Sequence, residues 1–261
     1  MLESHMLLRW EISKKALEGS VNGLIACEKT RIDNLRAQKI SKGDFLQWLD
    51  ETINRAQSIH ILGAGLNSSR PAHQAIHDLD NHGWRLVPIH PRDAGRTILG
   101  RVIRREIEDG IIPEIVVFFL APERTMEAIL TMVVKYNSDE MPLFWLQRGA
   151  ENKEILEMLE SNNIKHVKND CIVEYITGNE MYRTPKCKNK PWFRQISDED
   201  GSGCSVWQAF KSLEAGCDFT TELEWAGDLE DLENSQHTIA RYIRSLTRSE
   251  ETLLDAAIRL S

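Results

Sequence analysis

The chain has 261 residues, 41% hydrophobic and 28% charged, enough to bury a sizeable core in one or two globular domains and too apolar for a disordered tail. Its formal net charge of −8 sets a field that repels nucleic acid and anionic membranes, so either partner would need a local basic patch. No apolar run approaches the roughly 20 residues of a membrane span and no hydrophobic signal core opens the sequence, so the expectation is a cytoplasmic protein.

Residues 1–5, ahead of Met6, read as a cloning remnant and are set aside. Over 6–57 the pattern is that of a helical extension. Trp10, Leu17, Val21 and Leu24 share one face of a first helix; Phe45, Trp48, Leu49, Ile53 and Ala56 share a face of a second. Both stripes need a surface to cover them, either the central domain or a second subunit.

From 58 to 176 short apolar strands alternate with helices. Strands are expected at 59–62, 85–89, 115–120, 143–147 and 165–168, with helices near 72–82, 123–136 and 151–162. Strands this apolar are buried on both faces, as in a parallel sheet. The fold expected is therefore α/β: a doubly wound, mainly parallel, five-stranded Rossmann-like sheet flanked by helical N- and C-terminal extensions.

Residues 177–204 carry glycine, proline, the basic cluster Arg183, Lys186, Lys188, Lys190 and Arg194, and three acids at 198–200. They read as a linker or docking arm, whose interleaved Tyr182, Trp192 and Phe193 leave open a grip on an RNA, an acidic protein or the phosphates of a bound nucleotide. A helical region is expected over 205–261, with helices at 205–215 and from about 228 to 260. Thr247 and Glu250 fit a capping box ahead of Leu253, Leu254, Ala257 and Ile258.

The stretch "IHILGAGLNSSRP" at 59–71 runs from a strand through glycines into a helix. Glycine lets the backbone approach a phosphate, and a helix N-terminus offers unpaired N–H groups. Gly63 and Gly65 fit the dinucleotide pattern G-x-G-x-x-G, but the third glycine is Ser68. At the end of the second strand, where an NAD site places an acid on the ribose, stand His90 and Pro91. The nearest acid, Asp93, follows the proline. An ordinary NAD site is disfavoured, whereas Arg92 or Arg96 could meet a phosphate of NADP or of coenzyme A.

Several spaced motifs resemble the small CoA-binding Rossmann proteins related to the CoA-binding domain of the succinyl-CoA ligase α-subunit, over about 59–174. They are Gly63 with Arg70-Pro71, His90-Pro91, Leu99-Gly100, the strand Trp145-Leu146-Gln147-Arg148-Gly149, and Asn169-Asp170-Cys171 with Glu174. Three features depart from that pattern: His90 replaces an asparagine, Cys171 follows Asp170 directly, and the segment after Gly100, "RVIRREIEDGII", is unusually charged. The resemblance implies CoA or an acyl-CoA across the opening loop and the end of the second strand. Its contacts would come from Gly63, Ala64, Gly65, Asn67, Ser68, Ser69, Arg70, His90, Pro91, Arg92 and Arg96, with Gln147, Gly149 and Cys171 at the later strand ends. Cys171 could lie near the pantetheine sulfur or be a small buried residue.

The ligases carry a phosphorylated histidine in a second α/β domain. Beyond His166 this chain has only His237, in an acidic helical setting, which argues against acyl-CoA synthesis by this chain alone. His73 and His77 share a helix face without a third metal ligand, and Cys27, Cys171, Cys187, Cys204 and Cys217 form no C-x-x-C pair. The resulting expectation is a CoA-binding sensor, carrier or regulatory module with no metal, no membrane and no nucleic-acid partner. The terminal helices would mediate self-association or contact a protein. An NADP-dependent oxidoreductase or redox sensor and a ligand-free interaction scaffold are the alternatives.

Overall fold

The computed structural model describes residues 42–183, 190–197 and 204–261. The helix expected around Trp10–Leu24, Cys27, the arm residues Lys186, Cys187 and Lys188, and the acids at 198–200 lie outside them. The chain divides into two compact units, 1–51 and 52–261. Helix α1 (Lys42–Arg55) starts in the first and ends in the second; its apolar stripe is buried at Leu49 and Ile53 and half-exposed at Phe45.

Five strands, β1 (Ser58–Leu62), β2 (Arg85–Ile89), β5 (Ile115–Phe118), β6 (Leu143–Leu146) and β7 (His166–Val167), pair in parallel in the order β2-β1-β5-β6-β7. A two-residue hairpin, β3 (Thr97–Ile98) and β4 (Arg101–Val102), interrupts the crossover after β2. The crossover helices are α2 (Pro71–Asp78), α3 (Pro122–Lys135) and α4 (Lys153–Ser161), and α5 (Ile172–Gly178) follows β7. The α/β Rossmann-like sheet expected from sequence is thus present, each strand within three residues of its expected ends. Its apolar runs are legible because both faces are covered. On one face Leu62, Val116, Phe118, Phe144 and Leu146 pack with Ile129, Met132, Ile155 and Leu159 of α3 and α4.

After α5 the structure departs from the helical reading. Trp192–Ser197 is strand β8, inside the segment read as a linker; Ser205–Phe210 and Leu223–Asp228 are strands β9 and β10, inside the region read as helical. They form an antiparallel sheet in the order β10-β8-β9. The physical reason lies in "SVWQAF": Trp207 is buried while its neighbours Val206 and Gln208 are not, and this alternation with β-branched and aromatic residues suits a strand covered on one face. Helices α6 (Leu229–Asn234), α7 (Thr238–Ser245) and α8 (Leu253–Arg259) complete the module. They close a core of Phe193, Trp207, Trp225, Leu232, Ala240, Ile243 and Ala257.

Helix α8 starts later than the sequence suggested. Its cap is Thr252, whose hydroxyl accepts the Asp255 N–H at 3.2 Å, so the same spacing used five residues downstream wins over Thr247 and Glu250. Ile258, placed on the apolar face, is exposed.

Part of the basic–aromatic arm is packed inward among the described residues. Trp192, Phe193 and Arg194 are buried. Arg194 lies over the Phe210 and Phe219 rings and donates to Gln208 Oε1, Gly95 O and Cys217 O. Lys190 faces Glu230 at 3.5 Å, and Arg183 donates to the carbonyls of Arg55 and Ala56.

The charged run after Gly100 is where the sheet receives this module. Arg104 donates to Asp231 Oδ2 at 2.8 and 2.6 Å and lies 2.9 Å from Asp228 Oδ2. Arg85 grips both Asp228 oxygens and Asp231 Oδ1 at 2.7–2.8 Å. The two aspartates also form the capping box of α6: Asp228 Oδ1 accepts the Glu230 and Asp231 amides, and Asp231 Oδ2 accepts the Asp228 amide. Glu108 accepts from Trp225 Nε1 at 3.0 Å and from the Ser235 hydroxyl. Burial favours the protonated Asp228, but the two guanidiniums outweigh it and hold that carboxyl far below the usual carboxylate range.

Candidate functional site

In the order β2-β1-β5 the parallel strands that follow β1 are laid down first on one side of it and then on the other, so the loop leaving β1 opens at the switch point of the sheet, where open α/β folds bind ligands. Gly63 is left-handed at φ 94°, and a Cβ there would sit 2.6 Å from Phe119 O at the end of β5. Gly65 is pressed against the turn after β2, where a Cβ would lie 2.3 Å from Asp93 Oδ2 and 2.9 Å from the His90 ring. Gly63 therefore requires glycine, whereas a side chain at Gly65 would have to displace Asp93 and His90.

Hydrogen bonds fix the loop from within. The Gly63 amide donates to Ile89 O, that of Gly65 to Gly63 O, and that of Ser69 to Asn67 Oδ1. His73 Nδ1 meets Gly65 O at 2.8 Å, and the Gln74 carboxamide donates to Ser68 O. His77 Nε2 lies 3.1 Å from His73 Nε2. The histidine pair thus belongs to the loop's scaffold, and among the described residues no group of three metal-ligating side chains occurs. The Leu66 amide donates to Asp93 Oδ2 at 2.8 Å.

Of the loop's candidate contacts, Ala64 and Gly65 are buried, while Asn67, Ser68, Ser69 and Arg70 are exposed at the start of α2, with Pro71 at its first position. The Asn67 and Ser68 N–H groups have no partner among the described residues. Pro91 and Arg92 are exposed in the adjoining turn, and Arg96 approaches Asp218 at 3.8 Å. His90 Nδ1 lies 3.1 Å from Asp93 Oδ2, an ion-pairing distance when the ring is protonated but off the line of a hydrogen bond. The loop and turn residues are therefore brought together.

The later strand ends form a second group. Gln147 is buried, and with its amide nitrogen toward Asp170 O and its oxygen toward Ile172 N, each at 3.2 Å, it pins the turn after β7. Trp145 Nε1 donates to the same Asp170 carbonyl. Gly149 is left-handed and faces open space, and Cys171 is half-buried at the N-cap of α5. His237, weighed as a phosphorylation site, caps α7 by accepting the Ile239 N–H. The residue that sequence reasoning passed over is Asp93: an acid just beyond the second strand was its only signal.

A cavity of about 480 Å³ lies elsewhere, against the N-terminal ends of β1 and β2, and is lined by Trp84, Arg101, Lys190 and Trp192 among others. Its cations are held internally, Arg101 by Asp80 at 2.5 Å and Lys190 by Glu230. No helix among the described residues is long and apolar enough to cross a membrane.

Known proteins are similar to this chain over about half of its length. The uncharacterized protein YneT of Bacillus subtilis (strain 168) is 24% identical over 125 residues, covering 48% of this chain and 88% of that protein. A solved Thermus thermophilus protein is 28% identical, covers 51% of this chain and 96% of its own, and superposes with a TM-score of 0.45. A conserved hypothetical protein from Pyrococcus furiosus is 22% identical, with 46% and 98% covered and a TM-score of 0.41. A family model described as CoA binding domain matches residues 57–176, the segment that forms the parallel sheet with its crossover helices.

Proposed function

We propose that the segment 57–176 holds a CoA-class nucleotide at the carboxyl ends of β1 and β2, and that the chain acts as a sensor, carrier or regulatory module rather than a stand-alone ligase. The observation that carries this reading is the glycine loop at the switch point. It is closed by backbone contacts at Gly63 and Gly65, yet it presents the Asn67 and Ser68 amides and the Arg70 side chain at the start of α2. Such amides and a nearby guanidinium suit a diphosphate. The adenosine end would then lie toward the His90–Arg96 turn, and the pantetheine arm toward Gly149 and Cys171. The carboxyl-end location and the family match support this placement equally.

Calorimetric titration with CoA, acetyl-CoA and NADP, on the wild type and on Arg70→Ala, tests the reading. CoA-class ligands are expected to bind saturably, and loss of a charge-assisted phosphate contact should weaken them about tenfold to a hundredfold. NADP binding without CoA binding would favour the oxidoreductase alternative; no binding by any of the three would overturn the proposal.

A further inference from the structure

We infer that Asp93 sets which nucleotide the loop accepts: an adenine nucleotide diphosphate whose ribose keeps both hydroxyls is favoured over one phosphorylated on that ribose. This rests on the reading of the Gly63 loop as a nucleotide site and adds the ligand class within it. In dinucleotide-binding α/β domains an acid after the second strand accepts the ribose hydroxyls. By spacing Asp93 does not qualify, because it lies four residues past Ile89 and behind Pro91. The fold restores it. The turn closes with the Asp93 amide on His90 O at 3.2 Å, which swings the carboxylate back onto the loop.

There Oδ2 is fixed by the Leu66 amide at 2.8 Å, and the absence of a Cβ at Gly65 gives it room. Oδ1 accepts no hydrogen bond among the described residues, and the side chain is 25% exposed. A carboxylate with one oxygen held and the other free accepts from hydroxyl donors and repels a phosphate. CoA carries a ribose 3′-phosphate and NADP a 2′-phosphate, whereas dephospho-CoA and NAD carry neither. Arg92, exposed in the same turn, and Arg96 are the groups that would hold such a phosphate if discrimination ran the other way.

The test compares paired ligands that differ only in that phosphate, CoA against dephospho-CoA and NADP against NAD. Calorimetry at about pH 8, where histidine is ordinarily neutral, would be run on the wild type, Asp93→Asn and Arg92→Ala, with circular dichroism to verify folding. Asparagine keeps an acceptor for the Leu66 amide, so the loop should survive that change. Dephospho-CoA is expected to bind the wild type about tenfold or more tightly than CoA, and the gap should close in Asp93→Asn. Equal or tighter binding of CoA, above all if lost in Arg92→Ala, would overturn the inference and leave the CoA reading standing. A preference that persists unchanged in Asp93→Asn would also overturn it. Failure of every ligand to bind folded wild type would remove both readings together.

Discussion

The central sheet and the C-terminal module differ in how each is held. The sheet closes on apolar side chains from Ile59 to Ile176, and the module has an apolar core of its own around Trp207 and Trp225. Where the two meet, a small patch of Ala94, Val102, Trp192, Ile196 and Leu223 lies beside a buried cluster of two arginines and two aspartates. The apolar cores give each half its fold. The ionic cluster gives the pair its register, because misplaced docking would strand four charges out of water.

The widest break in this arrangement should come from Asp231→Ala. It leaves Arg104 and Arg85 under-compensated and removes half of the α6 capping box, so a loss of about 3–5 kcal/mol is expected. Urea unfolding would measure it, and hydrogen exchange should locate the first loss of protection in β10 and α6 rather than in β1 and β5. Uniform loss of protection would mean that the two halves unfold as one.

A smaller, pH-dependent effect should come from His60. It lies on β1 facing the cluster, buried, with neither ring nitrogen hydrogen-bonded among the described residues. Burial first, then the charges of Arg85 and Arg104, lower its pKa well below the ordinary value, with Asp228 opposing. The folded state therefore refuses a proton that the unfolded chain accepts below about pH 6.5. Stability should fall with pH below that point by up to about 1.4 kcal/mol per unit. His60→Leu should remove this contribution between pH 6.5 and 5. Asp228 acts in a separate window: its pKa is lowered by the two guanidiniums, so its contribution is present above the ordinary carboxylate range and lost as pH falls below it. Urea titrations at several pH values would separate the two, and identical slopes in wild type and variant would refute the His60 assignment.

The mildest expected effect is at Thr252. Replacing this cap by alanine should cost about 1 kcal/mol, read as a lower thermal midpoint, while Thr247→Ala should cost no cap. The reverse ranking would restore the capping box suggested by sequence.

The five parallel strands were legible because burial on both faces leaves unbroken apolar runs such as "IVVF". The antiparallel strands were not, because burial on one face of "SVWQAF" leaves a mixed pattern too short to outweigh helical spacing. The loop glycines were legible from their place after a strand. Asp93 was not, since its role depends on a turn bringing it back through space to Leu66. The charged run after Gly100 stood out in sequence, but its purpose depended on Asp228 and Asp231, more than a hundred residues away.

That pair of carboxylates starts a helix in one half and neutralises two buried guanidiniums of the other. The point at which sequence kinship stops, residue 176, is therefore not a point at which the polypeptide can be cut. A fragment ending there would keep the recognisable sheet but present Arg85 and Arg104 with no counter-ion. Kinship and autonomy have different borders here.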